Sequence, residues 1–296
     1  MATELISARY GDLDLWPTGV AVEAMLEGQL AAAAAVRSQG GAIAAAVDAA
    51  AERLRGAGGR LIYAGAGTSG RLAVQDGVEL GPTYDWPEAR TVYALAGGMD
   101  ALLRSVEGAE DDAAAGEAAI ARAEPTCQDV VIAVAASGRT PYTLGALRAA
   151  GAAGALTVGM ANNAGTPLLE AAGHPILLDT GAEVVAGSTR MKAGTAQKIA
   201  LNLLSTAVML RLGRIYKGLM VDMRVSNQKL AGRAIRMVQE ISEVDEATAA
   251  TALAQAQGRT KLAALIALGA TPEEARGLLG DNRDNLRSAI ARLKRG

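Results

Sequence analysis

Three short stretches of this 296-residue chain bring glycine and side-chain hydroxyls together. They are Gly67-Thr68-Ser69 within AGAGTSGR, Ser137-Gly138-Arg139-Thr140 within SGRTP, and Ser188-Thr189 followed by Lys192 within AGSTRMKAGT. Each of the first two follows an apolar, strand-like run and precedes a helix-like one. A helix start leaves backbone N–H groups without internal partners, and its dipole favours negative charge there. Lys192 is close enough in sequence to neutralise an anion at the third stretch. Together the loops suit the phosphate and hydroxyls of a sugar phosphate. Singly, each also reads as a tight packing turn or an ordinary helix cap.

The spacing Gly65-x-Gly67-x-x-Gly70 matches the dinucleotide fingerprint as well. That fingerprint needs an acid about 20 residues on, at the end of the second strand, to hold a ribose hydroxyl. The next strand-like run, Thr91 to Gly98, ends in Ala and Gly, and Asp85 lies ahead of it. A nucleotide P-loop needs Gly-Lys-Ser/Thr after the glycines, and none follows. Thr68 and Ser69 instead suit a small phosphate monoester.

The elements that must position these loops are legible from pattern. Strand-like runs lie at RLIYAG, TVYALAG, DVVIAVAAS (Asp129 to Ser137), GALTVGM (Gly154 to Met160) and HPILLDTG (His174 to Gly181). Helical stretches separate them, among them Arg71 to Leu80 and Thr140 to Gly151. Short apolar strands alternating with helices predict an α/β fold with a parallel sheet covered on both faces. In such folds the ligand sits beyond the carboxyl ends of the strands. Val20 to Arg55 reads as Ala-rich helix broken near Gly40-Gly41. In the 187–210 region Ala193, Ala196, Ala200, Leu203, Ala207 and Leu210 recur at helical spacing, which predicts a long amphipathic helix opened by Ser188 and Thr189. After Val225 the chain reads as short helices, with Thr271 placed to cap one and Pro272 at its first position. The expected organisation is an N-terminal helical segment (1–57), a sugar-phosphate-binding sheet domain (58–224) and a C-terminal helical bundle (225–296).

Composition narrows the function classes. Half of the residues are apolar, yet there is no Phe and only 3% are aromatic, so Ala, Leu, Val and Ile must build a closely packed core. A net charge of −2 with no basic block argues against nucleic acid. One cysteine, Cys127, excludes an internal disulfide framework, and one histidine, His174, excludes a multi-His metal site. His174 is expected to be a loop or strand-edge residue. The opening MATELISARYGD shows no secretory pattern. The run Ile199 to Leu210 is too short to span a bilayer. A cytoplasmic protein with no membrane partner is the expectation.

The blocks GRLIYAGAGTSGRLAVQD, AASGRTPYTLGAL and GAEVVAGSTRMKAGTAQKIALNLLSTAVM resemble the sugar isomerase (SIS) domain proteins, and more narrowly the bacterial N-acetylmuramic acid 6-phosphate etherases. GLMVDMRVSNQKL (Gly218 to Leu230) and VEGAEDD (Val106 to Asp112) extend the resemblance, which covers about residues 58 to 290. It implies cleavage of a D-lactyl ether at C3 of the sugar. C2–H of the open-chain sugar is acidified by the C1 aldehyde. A base removes that proton, lactate leaves with help from an acid, and water adds to the unsaturated aldehyde. This needs two proton-exchanging groups and a fixed phosphate, with no metal and no redox cofactor.

By the same resemblance the catalytic pair falls on Glu79, in DGVELGPT, and Glu110, in VEGAEDD. Glu79 is expected to act as acid for lactate departure and to handle the added water, and Glu110 as base at C2. Read without the family, Glu79 is a solvated helix residue and Glu110 an acid at a helix start. Glu79 lies nine residues beyond Gly70, about 13 Å along a continuous helix. That reach favours a homodimer with sites at or near the subunit interface. The chain departs from the family in places: VELGPT stands where SECPPT is usual, Ser7 where an Asn is expected, and LEGQ (Leu26 to Gln29) where an N-x-E-D-like element occurs. These bear on sugar preference more than on reaction type. The alternatives are an aldose–ketose sugar-phosphate isomerase and a non-catalytic sugar-phosphate sensor.

Overall fold

A computed structural model describes residues 1–225 and 227–295. The chain forms two compact units, Met1–Gly77 with Ala89–Thr206, and Val78–Glu88 with Ala207–Gly296. In chain order the helices are α1 (Thr18–Ser38), α2 (Gly40–Leu54), α3 (Gly67–Val78), α4 (Leu80–Tyr84), α5 (Ala113–Ala123), α6 (Pro141–Ala152), α7 (Pro167–Ala171), α8 (Lys192–Arg211), α9 (Gln228–Ser242), α10 (Glu246–Gln255), α11 (Thr260–Ala267), α12 (Pro272–Asp281) and α13 (Leu286–Leu293). The strands are β1 (Leu61–Gly65), β2 (Thr91–Leu95), β3 (Val130–Val134), β4 (Leu156–Ala161) and β5 (His174–Leu177).

All five expected strands form, and they pair in parallel in the order β2-β1-β3-β4-β5. Every residue of β1 and β3 is buried. Their unbroken apolar runs follow from having both faces covered. The order reverses between β1 and β3, and ligands of open α/β sheets bind at such a switch point, beyond the carboxyl ends of the strands. The first hydroxyl loop follows β1 and the second follows β3. His174 is the first residue of edge strand β5, opposite Val158, and so lies at the other end of its strand from those loops. At that opposite end of β3, Asp129 is fully buried and accepts bonds from Arg60 N–H (2.8 Å), its Nη2 (2.8 Å) and Thr126 N–H (2.7 Å). Burial pushes its carboxyl up, but these bonds outweigh it and hold the group below its ordinary value.

Small residues let the layers close. A Cβ on Gly116 of α5 would lie 2.0 Å from Tyr142 O, and one on Gly145 of α6 would lie 2.2 Å from Ala113 O. The α5–α6 contact is therefore backbone against backbone. In α8, Ala193, Ala196 and Ala200 are buried as expected, but Leu203 and Leu210 are half-exposed while Leu201, Leu204 and Val208 are buried. Stepping by sevens let the buried stripe drift, because 3.6 residues per turn does not divide seven. Helix α1 is long and apolar enough, by length and composition, to cross a membrane, which the estimate based on Ile199 to Leu210 missed. Ala24, Gly28, Ala32 and Val36 form its buried face.

The second unit has its own core, in which Val221, Val238, Leu262, Leu265 and Leu286 are buried together. Four of its helices begin on side-chain caps: Asn227, Asp245, Asn285, and Thr271, which forms a reciprocal capping box with Glu274 ahead of Pro272. Lys261, 2% exposed, is held by Asp222 (2.5 Å) and Asp284 (2.9 Å). Burial raises the Asp222 carboxyl to about 6 against the pull of Lys261. Ser226, in the motif Gly218 to Leu230, lies outside the described residues.

The α5–α6 geometry makes Gly116→Ala costly, by about 1–3 kcal/mol of overpacking. Gly41→Ala in α2, where an added Cβ meets nothing within 4 Å, should be neutral or stabilising by up to about 1 kcal/mol. Urea unfolding of the two variants side by side checks the contrast.

Candidate functional site

The first hydroxyl loop is the opening turn of α3 itself. Gly70 N–H donates to Ala66 O (3.0 Å) and closes that turn. The amides of Gly67, Thr68 and Ser69 thus occupy the places where a helix has no internal acceptors. Gly67 takes a positive φ of 52°, which a side chain resists. Gly65 and Gly70 serve packing: a Cβ on Gly65 would lie 2.9 Å from Gly70 Cα, and one on Gly70 2.8 Å from Gly65 O. Anion geometry and tight packing are both present, on different glycines. Ser69 is buried and Thr68 half-buried.

The second loop makes a tight turn. Ser137 Oγ accepts Arg139 N–H (3.1 Å) and lies 3.3 Å from Thr140 Oγ1. Thr140 stands at the cap of α6, yet its side chain makes no cap bond, and Pro141 takes the first helical position. Ordinary capping therefore does not account for this hydroxyl. Gly138, at φ 62°, fits against Thr166, and Arg139 reaches Gly165 O (3.3 Å).

Two asparagines at the end of β4 brace this loop. Asn163 Nδ2 donates to Ala136 O (2.9 Å) and to Thr3 Oγ1 (3.0 Å), while Thr3 N–H donates back to Asn163 Oδ1 (3.3 Å). Asn162 donates to Leu178 O (2.8 Å) and accepts from Gln197 of α8 (2.9 Å). The extreme N-terminus is thereby fixed to the loop edge, where chain ends ordinarily fray. Asn162 and Asn163 escaped sequence reasoning. Paired polar residues directly after an apolar strand were the available signal.

The third stretch differs most from expectation. Helix α8 starts at Lys192, so Ser188 and Thr189 lie in the preceding turn. Its first amides, Lys192 N–H (3.0 Å) and Ala193 N–H (2.9 Å), are capped by the buried carboxylate of Glu183. Lys192 is itself buried, with Nζ on Thr180 O at 2.9 Å. The helix start that was expected to take a ligand anion already holds a protein one. Half-buried Ser188 and Thr189 still come near the first loop: Gly194, whose N–H bonds Thr189 O (2.8 Å), would place a Cβ 3.6 Å from Thr68 Cγ2. The departing LEGQ element packs here too. Gly28 faces the Lys192 stem, and Gln29 Oε1 accepts from Thr195 Oγ1.

Of the two glutamates, Glu79 is exposed and sits one residue beyond the end of α3, as the N-cap of α4. The continuous helix assumed from sequence therefore stops at Val78. Glu110 lies in the first unit, exposed, on a loop between a 3₁₀ turn (Met99–Leu102) and α5. Its carbonyl accepts Tyr142 N–H (3.0 Å) from the first turn of α6. Glu110, Gly67 and Arg71 line one cavity of about 270 Å³. The first loop, the helix behind the second loop and the Glu110 segment are thus joined. Asp112 caps α5 by accepting Ala115 N–H (2.8 Å), which leaves Glu110 free of the capping role. No group of three or more metal-ligating side chains is gathered among the described residues.

One buried polar cluster fixes α3 from behind. Asp76, 2% exposed, accepts from Tyr63 Oη (3.0 Å), Asn202 Nδ2 (3.0 Å) and Ser205 Oγ (3.1 Å). Burial first, and then the Asp76 carboxylate, push the Tyr63 phenol well above its ordinary value, so it remains a donor.

Comparison with known proteins agrees with this layout. Residues 42–151 match the glucokinase regulatory protein N-terminal SIS domain, 106–207 the SIS domain, and 217–266 the C-terminal lid domain of glucokinase regulatory protein. The N-acetylmuramic acid 6-phosphate etherase of Deinococcus radiodurans is 52% identical over 92% of this chain and 90% of its own length. That of Rubrobacter xylanophilus is 46% identical over 100% and 97%. Among solved structures, a candidate phosphosugar isomerase involved in capsule formation from Bacteroides fragilis aligns with a TM-score of 0.50 at 17% identity. It covers 69% of this chain and 97% of its own, and shows the fold alone.

Removing the acceptor at the centre of the Asp76 cluster strands three buried donors. Asp76→Ala should lose roughly 3 kcal/mol or more, and Asp76→Asn less. Denaturant unfolding should show a lowered midpoint with an unchanged slope.

Proposed function

Because this chain belongs to the N-acetylmuramic acid 6-phosphate etherase family, we infer how its residues divide the work of that carbon–oxygen lyase. The enzyme cleaves the D-lactyl ether of N-acetylmuramic acid 6-phosphate and gives N-acetylglucosamine 6-phosphate and D-lactate, a step in amino-sugar and peptidoglycan recycling. The amides and hydroxyls of Gly67, Thr68 and Ser69 hold the phosphate, with Ser137, Gly138, Arg139 and Thr140 at the sugar and Ser188 and Thr189 completing the wall. Lys192 acts from within as a buried positive charge behind that wall. Residues 58–224 are the sugar-phosphate-binding part, with 1–57 bracing it and 225–296 forming the helical bundle.

Elimination of lactate needs a base at C2 and an acid at the departing oxygen. Glu110 is the base and Glu79 the acid, which then handles the water that adds. The observation that carries this reading is the join described above, in which Glu110 shares a cavity with Gly67 and takes a backbone bond from α6. Both carboxylates are exposed before substrate arrives.

The enzyme is also read as a cytoplasmic homodimer. Val22, Leu26 and Leu30 recur every fourth residue on α1 and are 53%, 51% and 67% exposed. A stripe of this kind on one helix face needs a cover. A second copy of the chain is the occupant this reading commits to.

Two measurements check these assignments. Lactate release from N-acetylmuramic acid 6-phosphate should be rapid in the wild type. In folded Glu79→Gln and Glu110→Gln it should fall by about 10²–10⁴. A folded wild type that binds sugar phosphates without releasing lactate would turn the reading to an isomerase or a sensor. For the dimer, sedimentation of the wild type should give twice the chain mass, and Leu26→Glu with Leu30→Glu should shift it to monomer. A fully active wild-type monomer would sink the dimer.

A further inference from the structure

The segment that carries Glu110 is poor in apolar anchors. From Leu103 to Asp112 every residue is exposed except half-buried Ala109, and Leu103 is 92% exposed. Packing cannot hold such a loop, so its position depends on polar tethers and a few close contacts. Behind it, Val106 rests against Gly97, where a Cβ would come within 2.8 Å of Val106 Cβ. Ahead of it, the Glu110 carbonyl takes Tyr142 N–H at 3.0 Å.

The remaining tether is Arg71. It follows Gly70 directly, in the second turn of the helix whose first turn is the phosphate loop. Its Nε donates to Ala101 O at 2.8 Å and its Nη2 to Arg104 O at 3.1 Å. These carbonyls bracket the end of the 3₁₀ turn from which the Glu110 segment departs. The planar fork meets both at once, which a lysine ammonium cannot reproduce. Arg71 also lines the cavity shared by Gly67 and Glu110.

We propose that Arg71 is a positioning residue for the elimination: its two-point clamp transmits the location of the phosphate loop to the Glu110 segment. This rests on the assignment of Glu110 as base. The phosphate at Gly67–Ser69 fixes one end of the sugar, and C2 lies at a fixed distance along the carbon chain. A base must therefore be registered against the phosphate rather than merely be near it. Arg71 makes that register a matter of one side chain rooted beside the loop.

The clamp separates binding from proton transfer. In Arg71→Lys and Arg71→Met, kcat should fall about tenfold or more while KM stays within about threefold, because the phosphate loop is intact. The isotope effect on kcat with substrate deuterated at C2 should rise in both variants, as proton removal becomes slower relative to the other steps. A merely structural role would lower the active fraction, leaving the isotope effect unchanged. The conservative lysine variant guards against a methionine variant that fails to fold, and circular dichroism confirms the fold of each. If wild type releases lactate and Glu110→Gln does not, yet Arg71→Lys keeps kcat and isotope effect, the clamp is overturned and the etherase reading stands. If wild type releases no lactate, or Glu110→Gln retains full rate, the assignment of the base fails and the clamp with it.

Discussion

The approach of Gly65 to Gly70 sets the terms for the rest of the site. With hydrogen in place of a side chain at both positions, the first turn of α3 settles directly on the end of β1, where a Cβ on either glycine would lie under 3 Å from the other. That contact fixes where the unpartnered amides of residues 67–69 stand relative to the sheet. It also fixes where Arg71 begins its reach and where α3 leads. A larger residue at either position would lift the helix start off the strand and displace the anion loop with it. The handedness of the βα units then puts the second loop beside the first, because β1 and β3 flank the point where strand order reverses.

Stability and function draw on different parts of the first unit. The sheet and its covering helices close by apolar burial and by glycine contacts such as that of α5 on α6. At the carboxyl edge of the sheet, hydrogen bonds serve position: those of buried Asn162 and Asn163 behind the second loop, of buried Glu183 under α8, and of Arg71 on the Glu110 segment. These bonds are directional, so they hold groups to within a few tenths of an ångström while the loops they support stay partly exposed. A substrate needs an edge of that kind, ordered yet still wettable. The same logic explains why Asp76 is buried among neutral donors rather than paired with a cation. Three bonds anchor α3 three residues before Glu79 and add no net positive charge behind the site.

Much of this was legible in the sequence. Strands announced themselves as short apolar runs between glycines, and all five paired, because a buried parallel strand has no polar face to obscure the pattern. Thr271-Pro272 gave its helix start through capping chemistry that is local to a few residues. What sequence could not give was long-range. Ser188 and Thr189 looked like a helix opening until Glu183, nine residues before Lys192, supplied the actual cap. The buried face of α8 was read from a repeat of seven and drifted, since only tertiary contacts select Leu204 over Leu203. Thr3 and Asn163 are 160 residues apart, and no pattern along the chain links them. The hydroxyl loops were visible as composition, whereas the glutamates were named only through family resemblance, since an exposed glutamate on a loop has no local signature.

Helix α3 carries several of these positioning contacts at once. Its first turn presents the unpartnered amides of residues 67–69, its second sends Arg71 to the Glu110 segment, and its third buries Asp76. A helix is stiff over twelve residues, so these three features keep their spacing of about 1.5 Å per residue whatever the loops around them do. An elimination needs its phosphate anchor and base held in mutual register, and separate loops would drift independently. On the proposed assignment, rooting the phosphate loop directly and the base segment through one side chain in a single helix lets one rigid element set their register.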